Sequence, residues 1–279
     1  MKINRFYPFL LLSIFCVTIL VSCDSKEEGI PGPIVDYRDG YDGKANPRQV
    51  FENGMPTSIN SMTIKTDKIG LVSQIVDGAT SVKFEYLPMS DSSTSDVIMV
   101  INKEGEEKSY GMSLDGKGFV NSASVNSDGS LVKWEFEYAS GGYLTSVKKI
   151  VDGDLVKFYQ LEWDNGNLVA MKTNYMTTND TSDYNYSYVD HALPNKGAIM
   201  LWNSVYAIDI EELEYAYFAG ILGKSTENLP IYSAGKNPMY SSAWILPRDI
   251  KWTLDKNGFP VEMRAKHLTE ELDKVSIKW

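Results

Sequence analysis

Cysteine and histidine are nearly missing from this sequence, with two of each among 279 residues. Cys16 lies inside an apolar leader and leaves with it, so the mature chain keeps one thiol and forms no internal disulfide. His191 and His267 stand 76 positions apart, and neither has a partner at His-x-x-x-His or Glu-x-x-His spacing. A metal site would have to rest on distant carboxylates, so none is expected. No Gly-x-Ser-x-Gly elbow presents a serine nucleophile. Gly116-x-Gly118 lacks the third glycine and the helix that a dinucleotide needs, and no cofactor is expected. Basic excess is absent too: with the leader removed, 25 Lys and Arg face 37 Asp and Glu, a net charge of −12. Such a surface disfavours nucleic-acid binding.

What is present begins with location. Residues 1–22 combine Lys2 and Arg5 with an apolar run from Phe6 to Val21, about 16 residues where a span needs ~20, and read as a signal peptide. Leu20-Val21-Ser22-Cys23 resembles the lipobox of bacterial lipoproteins, which implies cleavage before Cys23 and its acylation as the attachment to outer-membrane lipid. An ordinary secretory signal with a chance cysteine is the alternative. Ser25-Lys26-Glu27-Glu28 resembles the acidic signal that sends lipoproteins of Bacteroidetes to the cell exterior, although a solvated acidic tether reads the same way. Residues 23–58 are rich in Gly, Pro and Asp and are expected to form a flexible lipid-anchored tether. Asp36, Asp39 and Asp42 do not match the alternating ligands of an EF-hand loop and are read as polar turns.

Residues 59–279 alternate. In Val132-Lys133-Trp134-Glu135-Phe136-Glu137-Tyr138 the aromatic residues share one face and the charges the other, the pattern of a half-buried antiparallel strand. Glycines punctuate these runs, and Gly118, Gly142 and Gly166 are spaced 24 apart, with Gly70 at 72 before Gly142. Strand, Gly-containing turn and strand therefore recur as a hairpin repeat. The expected fold is mainly β: an extended, curved antiparallel meander with one small helical insertion at about 205–223. In that insertion Asp209 is expected to cap and Glu212 to answer it, while Ile210, Leu213, Tyr217 and Ile221 form a stripe that Gly223 ends. The stripe is expected to cover the aromatic face of the sheet.

These hairpins, together with Ala192-Leu193-Pro194-Asn195, Gly220-Ile221-Leu222-Gly223-Lys224-Ser225, Asn228-Leu229-Pro230 and Asp255-Lys256-Asn257-Gly258-Phe259-Pro260, resemble a Bacteroidetes lipoprotein family. It is the domain-of-unknown-function family 4595, with hairpins similar to the YD repeats of RHS-type proteins. The resemblance covers residues 60–279 and implies an extended curved sheet with no established activity.

Chemistry is sparse. Glu135 and Glu137 are about 6.5–7 Å apart along one strand face, compatible with a glycosidase pair and equally with a solvated face. Tyr184, Tyr186 and Tyr188 alternate beside Asn and Asp, and three rings on one face suit stacking on sugars if exposed, or core packing if not. The sequence thus points to a non-enzymatic outer-membrane lipoprotein facing the cell exterior, binding a glycan or a protein. An envelope glycan hydrolase and an assembly lipoprotein are the rivals, the first requiring a cleft-facing acid of raised pKa.

Overall fold

The computed structural model describes residues 44–88, 94–189, 193–236 and 245–279. The expected signal peptide, Cys23, the first part of the tether, His191 and most of the irregular loop after Met89 lie outside the described residues.

The first eight strands are β1 (Ser58–Ile59), β2 (Met62–Thr66), β3 (Val72–Asp77), β4 (Thr80–Tyr86), β5 (Val97–Lys103), β6 (Glu106–Leu114), β7 (Val120–Ser127) and β8 (Ser130–Tyr138). They are followed by β9 (Leu144–Val151), β10 (Asp154–Asp164), β11 (Asn167–Tyr175), β12 (Asp180–Ser187), β13 (Tyr232–Lys236), β14 (Ile245–Leu254), β15 (Pro260–His267) and β16 (Glu270–Lys278). Each pairs antiparallel with its sequence neighbours, and β1 also pairs with β16, so the sixteen strands close into a barrel. This corrects the expected open meander.

Closure rests on a short seam. Ser58 and Ile59 oppose Lys278 and Ile277, and Asn60 completes the ladder: its N–H donates to the Ser276 carbonyl and its Oδ1 accepts from the Ser276 N–H, both at 2.8 Å. An open meander would leave two rows of unpaired backbone groups, and the seam joins the two edges where residues 57–60 meet residues 276–278. The stretch 44–57, expected as tether, belongs to the folded unit: Ala45, Val50 and Phe51 are buried, and Phe51 packs edge-on against Tyr217.

The 24-residue spacing marks turns at one end of the barrel. There Asp67, Asp115 and Asp255 each accept on Oδ1 from the backbone N–H two and four residues on. Gly70, Gly118 and Gly258 supply the positive φ these turns need. Residues at this end also tie neighbouring strands through side-chain donors. The hydroxyls of Tyr86, Tyr138 and Tyr188 donate to the carbonyls of Val72, Val120 and Leu168, and the indoles of Trp163, Trp252 and Trp279 to those of Leu144, Pro230 and Pro260. At the opposite end the connections are tight two-residue turns, among them Glu104-Gly105, Asp128-Gly129 and Asp152-Gly153.

The aromatic faces point inward as the alternation requires: Trp134 and Phe136 are buried while Lys133 and Glu137 are exposed. A lumen walled by such residues must be filled, and residues 193–231, between β12 and β13, fill it. This segment bonds to strands around much of the circumference. Its Ile221 carbonyl accepts from Val120 N, its Lys224 N–H donates to Gly142 O, Tyr186 and Tyr159 donate to the carbonyls of Tyr206 and Asp209, and Arg248 to Ser204 O. Its apolar side chains join those of the strands in one core.

The insertion is less helical than its stripe suggests. A 3-10 turn, Glu211–Leu213, leads into a single α-helix, α1, Glu214–Phe218. Asp209 does not cap it in the expected way; its Oδ1 accepts from Glu211 N–H, and Glu212 turns to the barrel wall instead. Positive φ at Ala207, Glu211 and Gly220 bends the chain. Gly220, rather than Gly223, ends the helix, with its N–H on Tyr217 O and that of Ile221 on Ala216 O. A segment buried over most of its surface follows the cavity wall, so one apolar stripe does not set its path. Ile208, Ile210, Leu213, Tyr217, Ile221 and Leu222 are all fully buried.

Candidate functional site

The residues singled out in the sequence lie mostly in the scaffold. Tyr184 and Tyr186 are buried in the lumen, Tyr186 against the Tyr206 ring, and Tyr188 is half-buried with its hydroxyl engaged. Sugar stacking requires open ring faces, so their geometry is that of core residues. Glu135 and Glu137 lie on the outer wall, paired with Lys133 and Lys148 at 2.8 and 3.0 Å. His267 Nδ1 sits 2.9 Å from Pro247 O. Among the described residues no group of three metal-ligating side chains occurs.

The polar concavity lies at the tight-turn end, where the luminal segment meets the wall. A cleft of about 440 Å³ runs between Lys108, Tyr110 and Lys149 of the wall and Glu211, Glu212 and Glu214 of the segment. A second of about 270 Å³ lies between the β1–β2 turn, Asp77, Trp202, Asn203 and α1. Asn203, Glu214 and Tyr215 line both.

Three ion pairs fasten the acidic turn to the wall. Lys108 meets Glu212 at 3.1 Å, Lys149 meets Glu211, and Lys157 meets Asp209 at 3.4 Å. Tyr110 donates to the other oxygen of Glu212 at 2.8 Å. Burial opposes ionisation of Glu212, but the hydrogen bonds from Tyr110 and Lys108 outweigh it and hold its pKa below the usual carboxylate range.

Glu214 is different. Burial, reinforced by the charges of Asp77 and Asp209, pushes its carboxyl up to about 7. Its hydrogen bond is a long one, 3.5 Å from Asn203 Nδ2. Asp77, across the cleft, accepts from Ser61 Oγ at 2.7 Å and from the Tyr215 hydroxyl at 3.4 Å. No Lys or Arg pairs with either acid among the described residues. Sequence reading passed over Asp77, Asn203 and Glu214 because they are 126 and 11 positions apart and share no motif. Only the acidic run from Asp209 to Glu214 hinted at a site.

The model of a domain of unknown function with porin-like fold, DUF4595, matches residues 52–262. The chain belongs to the DUF4595 family. The DUF4595 fold also resembles the crystal structure of a porin-like protein from Bacteroides uniformis ATCC 8492, at 16% identity and TM-score 0.58, over 78% of this chain and 88% of that one. No curated protein matches it. The porin-like likeness replaces the one to YD repeats, which the closed barrel does not support.

Porin-like describes the strand topology of this DUF4595 barrel, and its wall chemistry runs the other way. Membrane-spanning barrels carry an apolar band outside and polar residues inside. Here Lys83, Lys172, Asp183 and Lys251, near the middles of their strands, are exposed on the outside, while Val82, Phe84, Met171 and Tyr184 are buried inside. Each Lys at the bilayer midplane costs about 2–4 kcal/mol. This wall therefore faces water.

Proposed function

We propose that this DUF4595 chain is a lipid-anchored, non-conducting barrel of the outer membrane that acts as a binding module, with the tight-turn mouth as its binding face. The observation that carries the reading is the inverted wall, charged outside and apolar inside, around a lumen filled by residues 193–231. A barrel of that kind neither spans a bilayer nor conducts, so a membrane role falls to the acylated Cys23. The placement of the ends adds support. Lys44, the first described residue, lies against Gly118 at the Asp-turn end, so the chain enters the described barrel at the mouth opposite the clefts. Exposure to the cell exterior, through Lys26-Glu27-Glu28, would present the tight-turn mouth to glycans or proteins outside.

The test has two arms. Full-length protein added to a planar bilayer is expected to give no conductance steps; ohmic channels would overturn the reading. In cells, Cys23→Ser is expected to abolish fatty-acid labelling and release the protein from the outer membrane, and protease added to intact cells is expected to digest the wild type.

The second reading is a glycan hydrolase, and one observation favours it: Glu214, pushed up to about 7 as a general acid would be, shares a cleft with a second carboxyl group, that of Asp77. Release of reducing ends from envelope polysaccharides, lost in Glu214→Gln, would establish it. A glycan array that binds without turnover would favour the module.

A further inference from the structure

We infer that the chain pairs with a second copy of itself along the free edge of β16, the two strands running antiparallel with Glu271 of each copy opposite the partner's Lys274.

β16 outreaches its neighbour at the seam. It runs from Glu270 to Lys278, whereas β1 has two residues and meets it only at Ile277 and Lys278. Asn60 carries the contact on to Ser276, and the β1–β2 turn ends it there. The six positions from Glu270 to Val275 run alongside β15 on one side and, among the described residues, have no strand on the other. Val275 lines the 270 Å³ cleft beside the β1–β2 turn, which marks the opening in the wall. Ser276 turns its N–H and carbonyl to the β1 side, and Lys278 its carbonyl, so alternation points the backbone groups of Lys274 the same way. At the far end His267 and Glu270 face each other across the two-residue turn Leu268-Thr269 and exchange their backbone bonds. The backbone groups of Glu271 therefore face the open side as well. Glu270, Glu271, Leu272 and Lys274 are exposed, so solvent reaches this edge.

The length of the free edge sets the register. Two copies laid antiparallel to use all six positions place Glu270 opposite the partner's Val275, Glu271 opposite the partner's Lys274 and Leu272 opposite the partner's Asp273. Glu271 and Lys274, whose backbone groups point outward, then meet each other, as a hydrogen-bonded antiparallel pair requires. The Leu268-Thr269 tip of each copy arrives at the partner's β1–β2 turn, so the added strand stops where the partner's own wall begins.

The charges along this edge are self-complementary. Charged residues on an open edge ordinarily discourage pairing, and Glu270, Glu271, Asp273 and Lys274 are such residues. In the register set by length, however, no like charges stand opposite one another, and two opposite-charge pairs form about the two-fold axis. A shift of one position sets Glu271 against the partner's Asp273, or Asp273 against its own copy. The charge order thus selects the register that the edge length requires, and favours a second copy over an unrelated peptide, which would need only the backbone groups. Within the chain, Glu271 and Lys274 lie 3.5 Å from Arg264 and 3.3 Å from Glu262, exposed ion pairs of little worth that leave both side chains open to a partner.

Sedimentation velocity of the lipidated full chain in detergent, with micelles in large excess over protein, tests this. The wild type is expected to show a dimer whose fraction grows with protein concentration. Glu271→Lys and Lys274→Glu each set like charges opposite at both pairs, and each is expected to weaken the dimer about tenfold or more. The two variants mixed together are expected to recover a dimer near wild-type strength, because each supplies the charge that the other lacks; a variant carrying both changes is expected to recover it alone. A wild type that stays monomeric at every concentration overturns the inference without reference to any variant. A dimer that both variants leave intact overturns β16 as its interface, and single variants weakened with no recovery on mixing overturn the Glu271–Lys274 pairing.

Discussion

The Tyr110 hydroxyl donates to Glu212 Oε2 at 2.8 Å, joining the wall strand β6 to the luminal segment across 102 positions of sequence. Lys108, two residues earlier on the same strand, takes Oε1 at 3.1 Å. Both carboxylate oxygens are thus satisfied from a single strand, and Glu212 positions the luminal segment against the mouth.

Tyr110→Phe is therefore expected to lower unfolding free energy by about 1–2 kcal/mol, the worth of one hydrogen bond to a charged group. Glu212→Ala is expected to cost more, because it strands the buried Tyr110 hydroxyl. Urea denaturation of both variants measures the difference, and equal losses would contradict the geometry.

Glu214 makes stability depend on pH in an unusual direction. Its folded pKa, about 7, lies above the ordinary carboxylate value of 4.5. Between those values the folded state holds more protons than the unfolded one, so the contribution is complete below pH 4.5 and is lost as pH rises through about 7. Glu214→Gln is expected to remove this slope and to leave the protein about 1–3 kcal/mol more stable than wild type at pH 8. Thermal melts from pH 5 to 8 are the check; parallel curves for the two proteins would refute it.

Two glycines with positive φ separate backbone strain from steric fit. Gly105, with φ of 92°, has open space where a Cβ would stand. Gly118, with φ of 84°, would place its Cβ 2.0 Å from the Lys44 carbonyl oxygen. Gly105→Ala is expected to cost about 1–2 kcal/mol from conformation alone. Gly118→Ala adds the displacement of residues 44–51 from the Asp-turn end, so it should lose more and expose the Phe51 region to protease.

Replacing residues 194–229 with a short flexible linker distinguishes a filled core from a gated pore. The wall residues Trp134, Phe136, Tyr159 and Met171 would then line an empty apolar lumen. Emptying the space behind a single large core side chain costs about 3–5 kcal/mol, and several together exceed the total stability of a domain. The deletion is expected to abolish folding, read as lost near-ultraviolet circular dichroism. A folded, conducting barrel would overturn the assignment of this segment as core.

The strands were legible because alternation reports local geometry: Lys133, Glu135 and Glu137 against Trp134 and Phe136 specify a two-faced strand wherever it is placed. Turn chemistry was legible for the same reason, since Asp115, Gly118 and Phe119 form a complete hydrogen-bonded unit within five residues. The helix is shorter than expected because a stripe at helical spacing records burial on one face, and the lumen buries residues 215–222 on every face. Tyr184 and Tyr186 carried the wrong emphasis on the same grounds, as alternation places rings on one face without stating what covers it.

By itself the sequence determined a mainly β chain of repeating hairpins, apolar on one face and charged on the other, preceded by a lipoprotein-like leader. Tertiary structure decided that the sheet closes, that its apolar face turns inward, and that Asp77, Trp202 and Glu214 meet in one cleft. The reason is the range over which each is encoded. Alternation and turns are set by neighbours a few residues apart, whereas closure depends on Ser58 and Ile59 finding Lys278 and Ile277, an encounter between the two ends of the domain that no local pattern records.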